Sequence, residues 1–121
     1  MLPQGKGRII NVGSVMCYEA GLNISAYAAA KSTQIGLARS WAHELAPLGI
    51  TVNTVAPGFI PVERHATVAD HTKQTYLASV PRGRMGTAED VAHAVSFFAS
   101  DKADFITGQR IVVDGGRGLG P

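Results

Sequence analysis

The sequence predicts an α/β fold in which three parallel strands form one sheet with helices on its two faces, a three-layer αβα arrangement. Short β-branched runs alternate along the chain with longer segments of helical periodicity, and glycine or proline ends each run. The order strand, helix, strand, helix, strand is typical of a parallel sheet with crossover helices. At 121 residues the chain is long enough for one core, so residues 1–121 are interpreted as a single domain.

The first strand is predicted at Gly7–Val12, where an apolar, β-branched run follows two glycines. Gly13 and Ser14 then form a turn, and a loop leads to the longest helix. That helix is predicted from about Ser25 to Ala46, since Pro47 and the nearby Gly49 cannot continue it.

The second strand is predicted at Ile50–Ala56, and Pro57-Gly58 ends it. The polar stretch that follows, from Ile60 to Arg84, is long for a connection in a compact domain. We therefore expect it to form a partly helical lid.

The next helix is predicted to begin after Thr87, because a threonine followed three residues later by Asp90 is a capping-box pattern. It should extend to about Ser100. The third strand is predicted at Gln109–Val113, a second β-branched run that ends in an Asp-Gly-Gly turn.

On a helical wheel, one broad face of the long helix is apolar, and Tyr27 and Lys31 fall inside it. The apolar members of that face are Leu37, Ala38, Trp41, Ala42 and Leu45. A lysine is rarely buried without a partner, and most lysines at such positions extend their ammonium group to water. The position of Lys31 indicates a function without establishing one.

Composition excludes several classes of function. The net charge of +2 is too small for a nucleic-acid partner, and no apolar run reaches the roughly 20 residues of a membrane span. The single Cys17 excludes an internal disulfide and fits a reducing, cytoplasmic compartment. The histidines lack metal-ligand spacing, so we expect no metal site and interpret all four as surface or loop residues.

Three features are predicted to meet at one edge of the sheet. Ser14 follows the first strand, Pro57-Gly58 follows the second, and Tyr27 and Lys31 stand one turn apart early in the intervening helix. Parallel sheets bind ligands beyond the carboxyl ends of their strands. A Tyr-x-x-x-Lys pair alone is a weak signal, and this convergence is stronger evidence for a site.

These residues also carry a family resemblance. The chain resembles the C-terminal half of a short-chain dehydrogenase/reductase, a Rossmann-like doubly wound fold, in five motifs of matching order and spacing. The motifs are IINVGS at 9–14, YAAAK at 27–31, VNTVAPG at 52–58, RMGTAEDV at 84–91, and the segments ITGQ at 106–109 and VDGG at 113–116.

The resemblance implies a role for each matching residue. Tyr27 would exchange a proton with the substrate oxygen, and the neighbouring Lys31 ammonium would favour its phenolate form. Lys31 would also bind the ribose of a nicotinamide cofactor, NAD or NADP. Ser14 would hold the substrate oxygen, and Pro57, Gly58 and Ile60 would line the nicotinamide pocket.

The chain departs from the family pattern in two respects. Val62 stands where relatives usually carry a threonine that contacts the cofactor; Glu63 or Arg64 could compensate, although solvent-facing roles are expected for both. The glycine-rich cofactor-binding half and the family's catalytic asparagine are absent. The glycine-rich segment 115–120 follows the last strand, so we interpret it as a flexible tail.

The resemblance implies an NAD(P)-dependent oxidoreductase that interconverts a secondary alcohol and a ketone, homo-oligomeric (dimer or tetramer) in its full-length form, without nucleic-acid or membrane partners. Activity of the isolated chain is doubtful. The alternative is a catalytically inactive remnant that only folds or oligomerises. An epimerase or dehydratase fits the end motifs less well. The substrate stays open among a 3-oxoacyl thioester, a sugar and a cyclic ketone.

Overall fold

A computed structural model describes residues 1–19 and 21–119 and confirms the α/β fold. Three parallel strands lie in the order β1-β2-β3. The strands are β1 (Gly7–Val12), β2 (Ile50–Pro57) and β3 (Arg110–Val113), and the helices are α1 (Ser25–Leu45), α2 (Asp70–Ala78) and α3 (Ala88–Ala99). The predicted boundaries agree to within one residue for the strands and for α1, and α2 supplies the helix expected in the lid.

Strand β2 is the centre of the sheet. Its register with β1 runs from Gly7 opposite Ile50 to Val12 opposite Val55, and Pro57 lies opposite Val113 of β3. Because all three strands are parallel, their carboxyl ends meet at one edge. This edge is where the predicted site residues follow β1 and β2.

The two faces of the sheet carry separate clusters of buried side chains. On one face Ala38 and Ala42 of α1 pack against Val52, and on the other Phe98 of α3 packs with Val55. Small alanines let α1 approach the sheet closely, whereas the phenylalanine fills the wider gap under α3.

The apolar face predicted for α1 divides in two. Ala38 and Ala42 are buried, but the side chains of Leu37 and Trp41 are 39% and 36% exposed. Contact with β2 occupies only the alanine stripe, so the larger apolar residues lie beside it and face away from the sheet. The wheel overestimated the width of the buried face.

Asn53 joins β2 to the segment that leads into β3. Its side-chain amide donates to the Ile106 carbonyl oxygen at 2.8 Å, and its Oδ1 accepts from the Gln109 backbone N–H at 3.0 Å. Asn53 is completely buried. A buried amide with both ends satisfied orders the segment it bonds.

None of the helices in the described ranges is long and apolar enough to cross a membrane. A grouping of three or more His, Cys, Asp or Glu side chains suited to a metal ion is likewise not found in residues 1–19 and 21–119.

Candidate active site

The fold brings the predicted site residues to one cleft at the carboxyl edge of the sheet. The cleft has a volume of about 460 Å³, within the range of small-molecule pockets. Its lining includes every residue named from the sequence for catalysis or cofactor binding: Ser14, Tyr27, Lys31, Pro57, Gly58 and Ile60.

Ser14 is fixed by the end of β1. The Gly13 N–H donates to the Val55 carbonyl oxygen at 2.8 Å, and the Ser14 hydroxyl oxygen accepts from the Met16 N–H at 3.2 Å. Ser14 is buried at 7% exposure. Because the hydroxyl acts as an acceptor toward Met16, its own proton stays free to be donated to a ligand oxygen.

Lys31 lies on the second turn of α1 and points to the end of β1. Its ammonium donates to the Val12 carbonyl oxygen at 2.8 Å and lies 5.9 Å from the centre of the Tyr27 ring. An ammonium group has three N–H donors, so two remain for a ligand. Lys31 therefore has a defined partner at the cleft, unlike a lysine that only extends to water.

Tyr27 lines the same cleft with 40% of its surface exposed. In the described part of the chain, no hydrogen bond joins its hydroxyl to Ser14 or Lys31. The structure brings the three side chains to one cleft and leaves the Tyr27 hydroxyl available to a ligand.

Gly58 allows α2 to close one wall of the cleft. Its N–H donates to the Val113 carbonyl oxygen at 2.9 Å, and the next N–H, of Phe59, donates to the Tyr76 hydroxyl at 2.8 Å. A Cβ atom on residue 58 would lie 2.5 Å from that hydroxyl oxygen. Only glycine permits this approach without a shift of α2.

The lid contributes residues that the sequence did not assign to the site. A short 3₁₀ turn at Glu63–His65 brings Arg64 and His65 to the cleft, and Val62 lines it too. The expectation of a surface or solvent-facing role is therefore wrong for His65, which is half-buried, and incomplete for Arg64. Their closeness in sequence to Ile60 was the available signal.

The start of α3, which supplies Ala88 and Val91 to the lining, is held by an ion pair. Arg84 meets Asp90 through two hydrogen bonds of 2.7 and 2.9 Å, and Asp90 completes the predicted capping box with Thr87. The Arg84 hydrogen bond, with help from the Thr87 N–H, holds the pKa of the Asp90 carboxyl well below its usual value.

The segment after β3 is packed against the site, contrary to the flexible tail expected for 115–120. Arg117 pairs with Glu19, donates to the Ser79 hydroxyl at 2.9 Å, and lies 4.7 Å above the Tyr76 ring. It thus ties the loop after Ser14 to α2. These contacts are remote in sequence, so the local glycine content could not reveal them; Gly120 lies outside the described residues.

Comparison with known proteins shows the same motifs in a family of reductases. The family model described as enoyl-(acyl carrier protein) reductase matches residues 1–117. The 3-oxoacyl-[acyl-carrier-protein] reductase of Salmonella typhimurium is 46% identical over 116 residues, which are 96% of this chain and 48% of that protein. The chain therefore spans about half the length of the curated relatives it matches, and the matched part is their C-terminal half.

Solved structures agree with this assignment. A gluconate 5-dehydrogenase from Burkholderia cenocepacia, in complex with NADP and tartrate, has a TM-score of 0.93 at 31% identity over 99% of this chain and 48% of its own. A 3-oxoacyl-[acyl-carrier protein] reductase from Brucella melitensis has a TM-score of 0.90 at 34% identity over 96% of this chain and 44% of its own.

Proposed function

The chain belongs to the short-chain dehydrogenase/reductase family, and we propose that it forms the catalytic half of an NAD(P)-dependent oxidoreductase interconverting a secondary alcohol and a ketone. The observation that carries the proposal is the convergence of Ser14, Tyr27 and Lys31 with Pro57, Gly58 and Ile60 on one cleft. A phenol, an ammonium and a hydroxyl around a small-molecule pocket are suited to managing one proton at a carbonyl oxygen.

The cleft fits the nicotinamide end of the cofactor. Its lining offers the two free N–H donors of Lys31 and contains no aspartate or glutamate that would repel a phosphate. The described residues offer no cradle for the remainder of a dinucleotide, because the Gly116 and Gly118 N–H groups are bonded to Asp114 at 2.9 and 2.7 Å. We assign that task to an amino-terminal half like that of the relatives.

The proton chemistry follows from the side chains. Bound nicotinamide supplies or accepts the hydride. In the reducing direction the Tyr27 hydroxyl donates its proton to the substrate oxygen, and in the oxidising direction its phenolate accepts that proton. A positioned acid or base of this kind contributes about 10²–10⁴-fold to the rate.

Ser14 and Lys31 support that transfer. The free Ser14 proton is donated to the same substrate oxygen, which stabilises the negative charge that develops there. Lys31, fixed by the Val12 carbonyl, holds a positive charge near the Tyr27 ring and favours the phenolate. Its remaining N–H groups are available to the cofactor ribose.

Relatives and structural neighbours favour two substrate classes, 3-oxoacyl thioesters and sugar acids, and the neighbour bound to NADP favours that cofactor over NAD. A homo-oligomer and a cytoplasmic location stay predictions for the complete enzyme.

The second candidate is a folded remnant that only associates with other chains. The exposed stripe of Leu37 and Trp41 favours it, since large apolar side chains on a helix surface suit a contact with another subunit. An active complete enzyme would use the same stripe, so only turnover separates the two candidates.

The test is a hybrid enzyme in which the amino-terminal half of the Salmonella typhimurium relative precedes residues 1–121. We expect the hybrid to oxidise NADPH in the presence of a 3-oxoacyl thioester or a keto-sugar acid. A hybrid that is folded and binds NADPH but reduces neither class would favour the remnant.

A further inference from the structure

Arg64 and His65 form a chain of hydrogen bonds that ends at the wall of the cleft. The Arg64 Nε–H donates to His65 Nε2 at 3.1 Å, and His65 Nδ1 lies 2.9 Å from the Ile60 carbonyl oxygen. The His65 ring also packs on Phe59, with 4.8 Å between the ring centres. The lid thus holds the imidazole from two sides.

These partners determine the protonation of His65. A carbonyl oxygen can only accept, so Nδ1 carries the hydrogen; a guanidinium can only donate, so Nε2 must offer its lone pair. His65 is therefore neutral and acts as an acceptor that orients Arg64. The bond uses the Arg64 Nε, which leaves both Nη groups for another partner.

The surroundings of Arg64 supply no such partner. Among residues 1–19 and 21–119, the ion pairs involve Lys6, Arg8, Lys73, Arg84 and Arg117 but not Arg64. The side chains that line the cleft include Lys31, Arg64 and His65 and no carboxylate. Two cations in a cleft without an acidic residue suit an anionic ligand.

We propose that Arg64, oriented by neutral His65, is an oxyanion-binding residue of the cleft. A guanidinium with both Nη groups free matches two oxygens of a phosphate or carboxylate in a bidentate arrangement. The oxyanion is a phosphate group of the nucleotide cofactor or a carboxylate of the substrate. This inference rests on the proposed function for the identity of its ligands, but not for its test.

The test measures binding to the 121-residue chain without turnover. Inorganic pyrophosphate is titrated and followed by its ³¹P relaxation, and D-gluconate is followed by saturation transfer to its protons, both at constant ionic strength. Ligand-observed signals report weak binding even when the protein self-associates. The variants are Arg64→Gln and His65→Phe, and Arg39→Gln serves as control because Arg39 is exposed on α1, away from the cleft lining.

We expect Arg64→Gln to weaken binding of at least one probe about tenfold, His65→Phe to weaken it less, and Arg39→Gln to leave it unchanged. An effect on pyrophosphate assigns the phosphate source, and an effect on gluconate assigns the carboxylate source. Equal binding to the wild type and Arg64→Gln, equal losses in the Arg64 and Arg39 variants, or no binding of either probe would overturn the inference. An inactive hybrid enzyme would contradict the proposed function and leave this result untouched.

Discussion

Replacing Gly58 with alanine should destabilise the contact between β2 and α2. The new Cβ would lie 2.5 Å from the Tyr76 hydroxyl oxygen and 3.0 Å from Asp114 Cβ, whereas ordinary contacts begin at 3.4 Å. Tyr76 must therefore move by about 1 Å, which strains or breaks its hydrogen bond with the Phe59 N–H. Overpacking costs about 1–3 kcal/mol and the lost hydrogen bond about 1 kcal/mol, so we expect a loss of about 2–4 kcal/mol.

A double-mutant cycle tests this reasoning by urea unfolding at several protein concentrations. Tyr76→Phe removes the oxygen that the new Cβ would meet, so Gly58→Ala should cost less in that background by at least about 1 kcal/mol. Gly36→Ala is the control, because a Cβ at position 36 meets no atom within 4 Å. Strictly additive effects, or a neutral Gly58→Ala, would refute the proposed clash.

Three further predictions concern stability and assembly. Asn53→Leu should cost about 2–4 kcal/mol in urea unfolding, because it leaves the Ile106 carbonyl and the Gln109 N–H buried without their partner; a cost below 1 kcal/mol would contradict this. Asp90 has a depressed pKa in the folded chain, so its stabilisation is complete above the unfolded value of about 4 and is lost as pH falls toward the folded value; the stability difference between wild type and Asp90→Asn should shrink from pH 6 to pH 3, and a constant difference would contradict it. Strand β1 pairs only with β2 in the described structure, so its free edge should make the isolated chain marginally stable or self-associating in sedimentation, and a stable monomer with cooperative unfolding would contradict that.

The sequence predicted most of the fold because the strands and helices are encoded locally. The β-branched runs at Gly7–Val12 and Ile50–Ala56 and the capping box at Thr87 need no distant partner to be recognised. The catalytic candidates were also predictable, since the carboxyl ends of parallel strands must meet at one edge.

The features that the sequence did not predict depend on distant contacts. Leu37 and Trp41 share the apolar character of the alanine stripe, and only the approach of β2 decides which residues are buried. Arg117 is ordered by Glu19, Ser79 and Tyr76, none of them near it in the chain. The role of Arg64 depends on the 3₁₀ turn that presents it to the cleft.

Turnover of the hybrid enzyme carrying Tyr27→Phe tests the central claim most directly. The substitution removes only the hydroxyl that exchanges the proton, so kcat should fall by at least about 10²-fold while the Kd for NADPH changes less than twofold. Tyr18→Phe, a tyrosine outside the cleft lining, should keep wild-type turnover. A Tyr27→Phe enzyme that retains most of the wild-type kcat would contradict the assignment of Tyr27 as the acid and base of this site.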